Sequence, residues 1–365
     1  MSDLPYEIDF LPVGDGERSG DAIAVRYYQA GRQWVHVIDG GNRDSGEALC
    51  WHLSHYYGTT HVDHLVCSHL DDDHVSGLRT VLERNTIGTV WLNRPWLFAE
   101  ELVDHFEDDR LTAASLARHL RDAYPMVVEI EETAERRGIP IRTVFQGDQI
   151  GAFTVLAPSR ARYMHLVPGF ARTPEESEDH ADRFTLRDLA HAAGSVRDWI
   201  LETFGVESLR EHVKTTASNE SSLVQAAVFT DRIALLTADA GIETLDEALS
   251  YIEDNPSLYP LPPRFVQVPH HGGRHNVAPS ILDRLLGETD TERGGTESVT
   301  AFASVASKTE THPRRMVVNG FIRRGATVYA TRGNTKWHHR NMPLRADFSQ
   351  AIPYEFFETV EPWED

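Results

Sequence analysis

Short apolar runs separated by turns rich in Gly and Asp open the chain, a pattern typical of β-strands. Strands are predicted over 6–14, 22–28, 34–38, 64–68 and 88–92, and helices over 45–58 and from Val75 to Glu83. This alternation of strands and helices indicates an α/β fold.

The pattern continues to the end of the chain, with one unusual stretch. Helical periodicity covers 99–138, and further strands are predicted over 139–144, 153–156, 222–229, 233–236, 265–268, 300–305 and 326–329. Residues 159–214 are acidic near Thr173–Asp182 and helical in pattern from Leu186 to Leu209. Because about 55 residues rarely form a core alone, we expect an insertion or lid at 159–214 within one domain, 1–345, followed by a C-terminal tail, 346–365.

Composition narrows the class of protein. The 365 residues are 41% hydrophobic and 25% charged, as in globular proteins and unlike disordered chains or coiled coils. No run of 18 apolar residues is present, so no membrane-spanning helix is predicted. The acidic N-terminus does not resemble a signal peptide, and the two cysteines, Cys50 and Cys67, cannot form a framework of several disulfides. We therefore expect a cytoplasmic protein with no membrane partner.

The charge is strongly negative overall but locally reversed. The formal net charge of −21 repels polyanions at long range and argues against non-specific coating of nucleic acid. Between Lys308 and Arg345, however, nine Lys or Arg residues accompany a single acid, Glu310, so that this basic segment carries a charge of +8. Such a segment is either a solvated face or a surface that meets phosphate or an acidic partner.

A cluster of histidines and aspartates follows the buried strand predicted at 64–68. Residues 68–74 read Ser-His-Leu-Asp-Asp-Asp-His. Imidazole and carboxylate groups bind zinc and similar ions, and three neighbouring acids repel one another unless a cation lies between them. The spacing suits two metals, one at His69 and Asp71 and the other at Asp73 and His74. The alternative is an acidic turn that caps the following helix, although a cap needs one acid and no histidine.

Two later strands end in residues of the same kind. Asp239 follows the strand at 233–236 and could bridge two cations, and His270 and His271 follow the strand at 265–268. Each is weak evidence alone, because a strand-end aspartate often forms a turn and a histidine pair is often merely exposed. Together they are stronger, because the carboxyl ends of strands are where α/β proteins form their sites.

These residues together resemble the metallo-β-lactamase fold family, and within it the branch found in the DNA-uptake ComEC proteins and related stand-alone hydrolases. The resemblance rests on Asp39-Gly40-Gly41, the cluster at 68–74, Asp239 and Pro269-His270-His271-Gly272. Weaker matches are Asn219–Val224 and Thr311-His312-Pro313. The resemblance covers 6–158 and 215–332, and 159–214 is unmatched.

The resemblance implies a four-layer αβ/βα sandwich with two divalent ions, zinc or manganese, at one edge. By position, His69 and Asp71 would hold one ion, Asp73 and His74 the other, and Asp239 would bridge them. His271 would be the last ligand and His270 a supporting or phosphate-contacting group, although the two could be exchanged. Asp71 and Asn219 stand where the family often has histidine, which favours a harder site with more oxygen ligands, and hence manganese.

Such a centre performs hydrolysis by activating water. Asp73 would orient the water, His270 would stabilise the developing charge, and His312 would donate to the leaving oxygen or contact phosphate. For His312 the alternative is a simple turn residue before proline. The basic segment and the DNA-uptake resemblance favour a phosphodiesterase or nuclease.

Two alternatives remain open from the sequence. The same centre could act on a small ester, lactone, amide or phosphocholine-like substrate. The chain could also be controlled by a regulatory protein partner or be catalytically silent, with the acidic insertion as a docking or blocking element.

Overall fold

The computed structural model describes residues 4–16, 18–106, 111–170, 199–289 and 299–363. The first half alternates strands with helices. The strands are β1 (Tyr6–Phe10), β2 (Ala22–Gln29), β3 (Arg32–Gly40), β4 (His61–Val66), β5 (Thr86–Trp91) and β6 (Ile141–Arg142). The helices are α1 (Arg43–His55), α2 (Asp72–Arg84), α3 (Ala99–Leu102), α4 (Ala113–Ala123) and α5 (Pro125–Arg136).

The second half repeats this alternation. Its strands are β7 (Gln149–Ile150), β8 (Phe153–Ala157), β9 (Ile200–Leu201), β10 (Val224–Val228), β11 (Ile233–Leu236), β12 (Phe265–Gln267), β13 (Val299–Ala303), β14 (Ala326–Ala330), β15 (Lys336–Arg340) and β16 (Thr359–Val360). Its helices are α6 (Arg160–Leu166), α7 (Ala217–Glu220), α8 (Ile242–Asp254), α9 (Pro279–Leu286) and α10 (Arg315–Arg323).

The strands form two seven-stranded mixed sheets. The first has the order β15-β1-β2-β3-β4-β5-β6 and the second the order β14-β13-β12-β11-β10-β8-β7. In each sheet one half is parallel, namely β3 to β6 in the first and β11 to β14 in the second. The carboxyl ends of β3, β4, β11 and β12 lead into the residues that the sequence singled out.

Three apolar clusters define the layers. The cluster between the sheets combines side chains of β1 and β2, such as Phe10 and Val25, with side chains of β12 and β13, such as Phe265 and Phe302. A second cluster joins the outer face of the first sheet to α1, α2, α4 and α5. A third joins the outer face of the second sheet to α8, α9 and α10. This is the four-layer αβ/βα sandwich expected for the metallo-β-lactamase fold, and the predicted fold class is confirmed.

The predicted strands of both halves are present with shifted ends, whereas several helices differ. Helix α2 begins at Asp72, three residues before Val75, and the predicted helical stretch 99–138 divides into α3, α4 and α5. Helices α6 to α10 and strands β7, β9, β15 and β16 were not predicted. None of the helices in the described ranges is long and apolar enough to cross a bilayer.

The insertion at 159–214 is only partly described. Thr173–Asp182 and most of the helical pattern from Leu186 onward lie outside the described residues. The helical prediction is wrong for 199–209, where β9 pairs with β16 near the chain end. The predicted tail therefore contacts the insertion, with Val360 fully buried. The boundaries of the domain, the insertion and the tail remain predictions.

Much of the charge in the basic segment is used inside the protein. Arg323 is buried and donates to the Glu202 carboxylate at 3.1 Å, and Arg324 pairs with Glu207 and Asp283. Arg345 pairs with Glu7 and Asp9 on β1. Because a buried ion pair leaves little field at the surface, these three arginines do not present charge to a polyanion.

A close approach of helix to strand fixes α2 against the first sheet. A Cβ at Gly77 would overlap the carbonyl oxygen of Gly40 at the end of β3 and lie near the Asn42 carbonyl oxygen. The Gly77 amide donates to the Gly41 carbonyl oxygen at 2.9 Å. The glycine thus allows α2, which begins within the histidine–aspartate cluster, to rest directly on the strand that carries Asp39.

We predict that Gly77→Ala destabilises the protein by about 1–3 kcal/mol, because the added methyl group has no space. In an open helix position the same change would stabilise by roughly 0.5–1 kcal/mol. Chemical denaturation measures the free energy of unfolding. Gly205→Ala is the control, since nothing lies within 4 Å of a Cβ there. Equal stability of the Gly77→Ala and unmodified chains would contradict the prediction.

Candidate metal centre

Asp239 lies at the centre of the assembled residues. Its Oδ2 atom is 3.3 Å from Nε2 of His74, 3.4 Å from Nδ1 of His270 and 3.9 Å from Nε2 of His69. Its Oδ1 atom is 3.6 Å from Nε2 of His271. One carboxylate thus faces four imidazoles contributed by two sheets, and its role as a bridge between two ions remains a prediction.

The other predicted ligands surround this carboxylate. Nε2 of His69 is 3.6 Å from Oδ2 of Asp71. Asp73, His74 and His271 each offer one ligand atom within 4.8 Å of the others, and so do Asp21, Asp239 and His271. The structure therefore brings together all the residues proposed as ligands from the sequence, while the pairing of each residue with a particular ion remains a prediction.

The orientation of His74 is set by Asp39. Oδ2 of Asp39 is 2.8 Å from Nδ1 of His74. The Asp39 carboxylate in turn accepts hydrogen bonds from the Ser68 backbone amide at 2.8 Å and from the Ser68 hydroxyl at 2.5 Å. A hydrogen bond at Nδ1 leaves Nε2 free toward Asp239, as in metal sites where a carboxylate fixes the tautomer of the histidine. Asp39 is therefore a positioning residue.

Helix α7 contacts the other side of the cluster. The Ser218 hydroxyl donates to Oδ1 of Asp71 at 2.6 Å, and Nδ2 of Asn219 lies 2.6 Å from Nδ1 of His270. Asp71 is the residue before the first turn of α2, but its side chain makes no capping hydrogen bond to the helix. The Asp71 carboxylate thus contacts His69 and Ser218 instead of the helix, which disfavours the interpretation of 68–74 as a simple capping turn.

His312 lies at the rim of the cluster. Its ring centroid is 6.2 Å from that of His270, and the Thr311 hydroxyl lies 3.0 Å from its Nδ1. Burial, together with the positive charge of the neighbouring histidines, lowers the pKa of His312 well below its usual value. A neutral imidazole can both donate and accept a hydrogen bond, and His312 offers one beside His270.

Burial and charge act against each other throughout the cluster. Burial favours the neutral forms, yet His271, His270 and His74 hold the pKa of Asp239 well below its usual range. Burial likewise opposes charge on His74, but Asp239 and Asp39 raise its pKa well above the usual value. The carboxylates thus require positive charge here, which protonated imidazoles or divalent cations can supply.

The donor set passes a test of fit for metal. The buried atoms without a hydrogen-bond partner include Nε2 of His69, Nε2 of His74, both ring nitrogens of His271 and Oδ1 of Asp239. Unpaired buried polar atoms are costly, and the Nε2 atoms of His69, His74 and His271 all lie 3.3–3.9 Å from Asp239. Imidazole nitrogens with carboxylate oxygens are ligands for zinc and, as oxygen donors increase, for manganese.

The backbone around the centre is held in an unfavourable conformation. Four non-glycine residues there have positive φ values of 45° to 56°: Asp39, Ala238, His270 and His271. Each such residue costs about 1–3 kcal/mol and persists only when its surroundings over-determine it. The concentration of strain at these strand ends indicates a functional site.

Sequence reasoning found the ligand candidates but missed groups that support them. Asp39 was noted only as part of a motif, and Asp21, Ser218 and Gln267 were not considered. Asp21 is fully buried at the start of β2 and accepts from Nε2 of Gln267 at 2.7 Å. Burial raises its pKa to about 7, and Asp239 and Asp39 add to the rise. The available signal was a Gly-Asp pair directly before an apolar strand.

Comparisons with known proteins give limited similarity. No family model matches the chain. A formamidopyrimidine-DNA glycosylase from Jannaschia sp. (strain CCS1) is 29% identical over 157 residues, which cover 41% of this chain and 52% of that protein. The chain thus matches about half the length of this curated relative, which does not establish a family.

Similar solved structures include the metallo-β-lactamase fold protein YhfI from Bacillus subtilis, with a TM-score of 0.39, 8% identity and coverage of 92% of this chain and 100% of that one. A diphosphatase of the PhnP family has a TM-score of 0.38 and 9% identity, covering 91% and 98%. CmlA, a diiron β-hydroxylase from Streptomyces venezuelae, has a TM-score of 0.32 and 12% identity, covering 90% and 45%. At these scores the fold assignment rests on the strand order and layers of this chain.

We predict that Asp39→Asn weakens the binding of Zn²⁺ or Mn²⁺ by about 10- to 100-fold, because His74 loses the carboxylate that orients it. Competition with a chromophoric chelator measures the affinity. Asp63→Asn is the matched control, since Asp63 is a buried strand aspartate that accepts the Val35 amide at 2.8 Å. Equal affinities of the Asp39→Asn and control variants would refute a positioning role for Asp39.

Proposed function

We propose that this protein is a metal-dependent hydrolase with two divalent ions. His69 and Asp71 would hold one ion, Asp73, His74 and His271 the other, and Asp239 would bridge them. The observation that supports this proposal most directly is the Asp239 carboxylate, whose two oxygens lie 3.3–3.9 Å from four imidazoles. His270 remains an alternative ligand, because its Nδ1 lies 3.4 Å from Asp239, but metal binding through this nitrogen would require the Asn219 amide at 2.6 Å to move away.

Ions held by such donors lower the pKa of water from 15.7 toward about 7 and polarise the bond under attack. Asp73 is partly exposed at the mouth of the cluster, and burial together with Asp239 and Asp71 raises its pKa. The Asp73 carboxylate at this place could orient the attacking water and accept a proton from it. His270 and His312 line the same side and can donate hydrogen bonds to the oxygens of the substrate.

A phosphodiester, as in nucleic acid, is the substrate class that we propose first. It agrees with the resemblance to the DNA-uptake branch of the fold family. It also agrees with the position of Arg332, a cation of the basic segment that lies beside His312 and donates to the His312 carbonyl oxygen at 2.9 Å. The curated relative is by its name a protein that acts on DNA. Three of the six proposed ligands are carboxylates, which makes manganese a candidate beside zinc.

A small ester, lactone or phosphocholine-like substrate is the second candidate. One observation favours it, namely that Arg323, Arg324 and Arg345 are committed to internal ion pairs. The basic segment therefore offers less charge to a long polyanion than its sequence indicates.

We expect the purified protein to contain roughly two equivalents of zinc or manganese, and the double variant Asp73→Ala/His74→Ala to contain one or none, because it lacks two of the proposed ligands. Elemental analysis measures the bound metal, and circular dichroism shows whether both proteins are folded. Equal and near-zero metal in both folded proteins would remove the basis for hydrolysis.

Substrate class is tested with plasmid DNA, single-stranded DNA, RNA, bis-p-nitrophenyl phosphate and p-nitrophenyl acetate, each with Mn²⁺ or Zn²⁺. Cleavage of a phosphodiester, lost in the Asp73→Ala/His74→Ala variant, is the expected result, because both residues are proposed metal ligands. Cleavage of the carboxylic ester alone would favour the second candidate and contradict the nuclease proposal.

A further inference from the structure

Asp21 is a buried carboxylate outside the proposed ligand set. Its side chain is only 1% exposed, and Oδ1 has no hydrogen-bond partner. It directly precedes β2, and a Cβ on the preceding Gly20 would overlap the Asp73 carbonyl oxygen. The loop that carries Asp21 therefore contacts the loop that carries Asp73. Burial of an ionisable carboxylate is costly unless other groups stabilise it.

The carboxylate lies behind two of the proposed ligands. Oδ1 of Asp21 is 3.9 Å from Nδ1 of His271, and Oδ2 is 3.8 Å from Nδ1 of His74. Both are the nitrogens opposite Nε2, the atom that each ring turns toward Asp239. Asp21 thus meets the two rings from the side away from the proposed ions.

The two rings differ in what else they contact. Nδ1 of His74 already has Asp39 at 2.8 Å, whereas neither ring nitrogen of His271 has a partner of good hydrogen-bond geometry. The polar neighbours of the His271 ring are Asp21, Asp239 and the backbone of Ser304. A histidine that ligates metal through one nitrogen almost always donates its other N–H to a carboxylate, carbonyl or water. Catalytic hydrogen bonds are often long in a free enzyme and tighten in its complexes, and the 3.9 Å between Asp21 and Nδ1 of His271 would have to shorten in the same way when metal binds. Asp21 is the carboxylate placed to receive the His271 proton.

Gln267 holds Asp21 in place and links it to the centre. Its Nε2 donates to Oδ2 of Asp21 at 2.7 Å, and its Oε1 accepts the backbone amides of Thr237 and Ala238, each at 3.0 Å. Those two residues directly precede Asp239. Oδ1 of Asp21, the oxygen that Gln267 does not contact, lies 3.9 Å from Nδ1 of His271.

We propose that Asp21 is a positioning residue that accepts the Nδ1–H of His271, fixing the tautomer in which Nε2 binds metal, as Asp39 does for His74. This role rests on the proposed metal centre and adds to it a second carboxylate–histidine pair. Gln267 keeps the Asp21 carboxylate aligned. Its hydrogen bonds join the start of β2 to the ends of β11 and β12 behind the proposed ligands.

The test uses the full-length chain with Zn²⁺ alone as the probe. Asp21→Asn is expected to weaken zinc binding by about 10- to 100-fold without changing the limiting stoichiometry. In the zinc-loaded unmodified protein, nitrogen-15 histidine spectra should show low-field ring N–H signals for both His74 and His271. In Asp21→Asn the His271 signal should shift to higher field while the His74 signal stays, which a general loss of stability would not produce.

Two further variants keep the test decisive. Gln267→Met removes the donor that aligns Asp21 and should weaken zinc binding in the same direction but by less, and it serves as the readout if Asp21→Asn does not fold. Asp63→Asn, a buried aspartate away from the centre, should leave zinc affinity and both signals unchanged.

The outcomes separate this role from the proposed function. Zinc bound by the unmodified chain and by Asp21→Asn with equal affinity, with both low-field signals retained, overturns the role of Asp21 and leaves the metal centre standing. An unmodified chain that binds no zinc overturns the metal centre and the role of Asp21 together.

Discussion

The repulsion among buried carboxylates at one edge of the sandwich is the constraint on which the site depends. Asp21, Asp39 and Asp239 are each at most 3% exposed, and Asp71 and Asp73 lie beside them. Such groups are stable in a protein interior only with opposite charge and directed hydrogen bonds. The imidazoles of His69, His74, His270 and His271 supply part of this balance, and divalent cations would supply the rest.

The architecture explains how residues separated by more than 200 positions meet. Parallel strands in both sheets end at the same edge, so the turns after β3, β4, β11 and β12 converge between the two sheets. Glycines permit the closest approaches, Gly77 where α2 rests on β3 and Gly20 where the loop before β2 meets Asp73. The left-handed conformations of Asp39, His270 and His271 then direct the side chains inward.

The sequence predicted the strands and the ligand candidates because both depend on local pattern. A buried strand followed by His69, Asp71 and His74 is visible in a few residues, and so is Asp239 at the end of β11. The support of the ligands was not visible, because Gln267 and Asp21 are 246 positions apart and only the fold reveals their hydrogen bond. The internal ion pairs of the basic segment could not be predicted for the same reason, since the acids that pair with Arg323 and Arg345 lie far away in the chain.

The start of α10 joins the last described residues of the chain to the site. The Arg314 amide donates to the Gly272 carbonyl oxygen at 3.0 Å, and the neighbouring Arg315 amide donates to the Glu361 carboxylate at 3.2 Å. Glu361 lies one residue beyond β16, which pairs with the strand at the foot of the insertion. A displacement of the β9–β16 pair would thus move Glu361 and, through the amides of Arg315 and Arg314, reach the turn that bears His270 and His271.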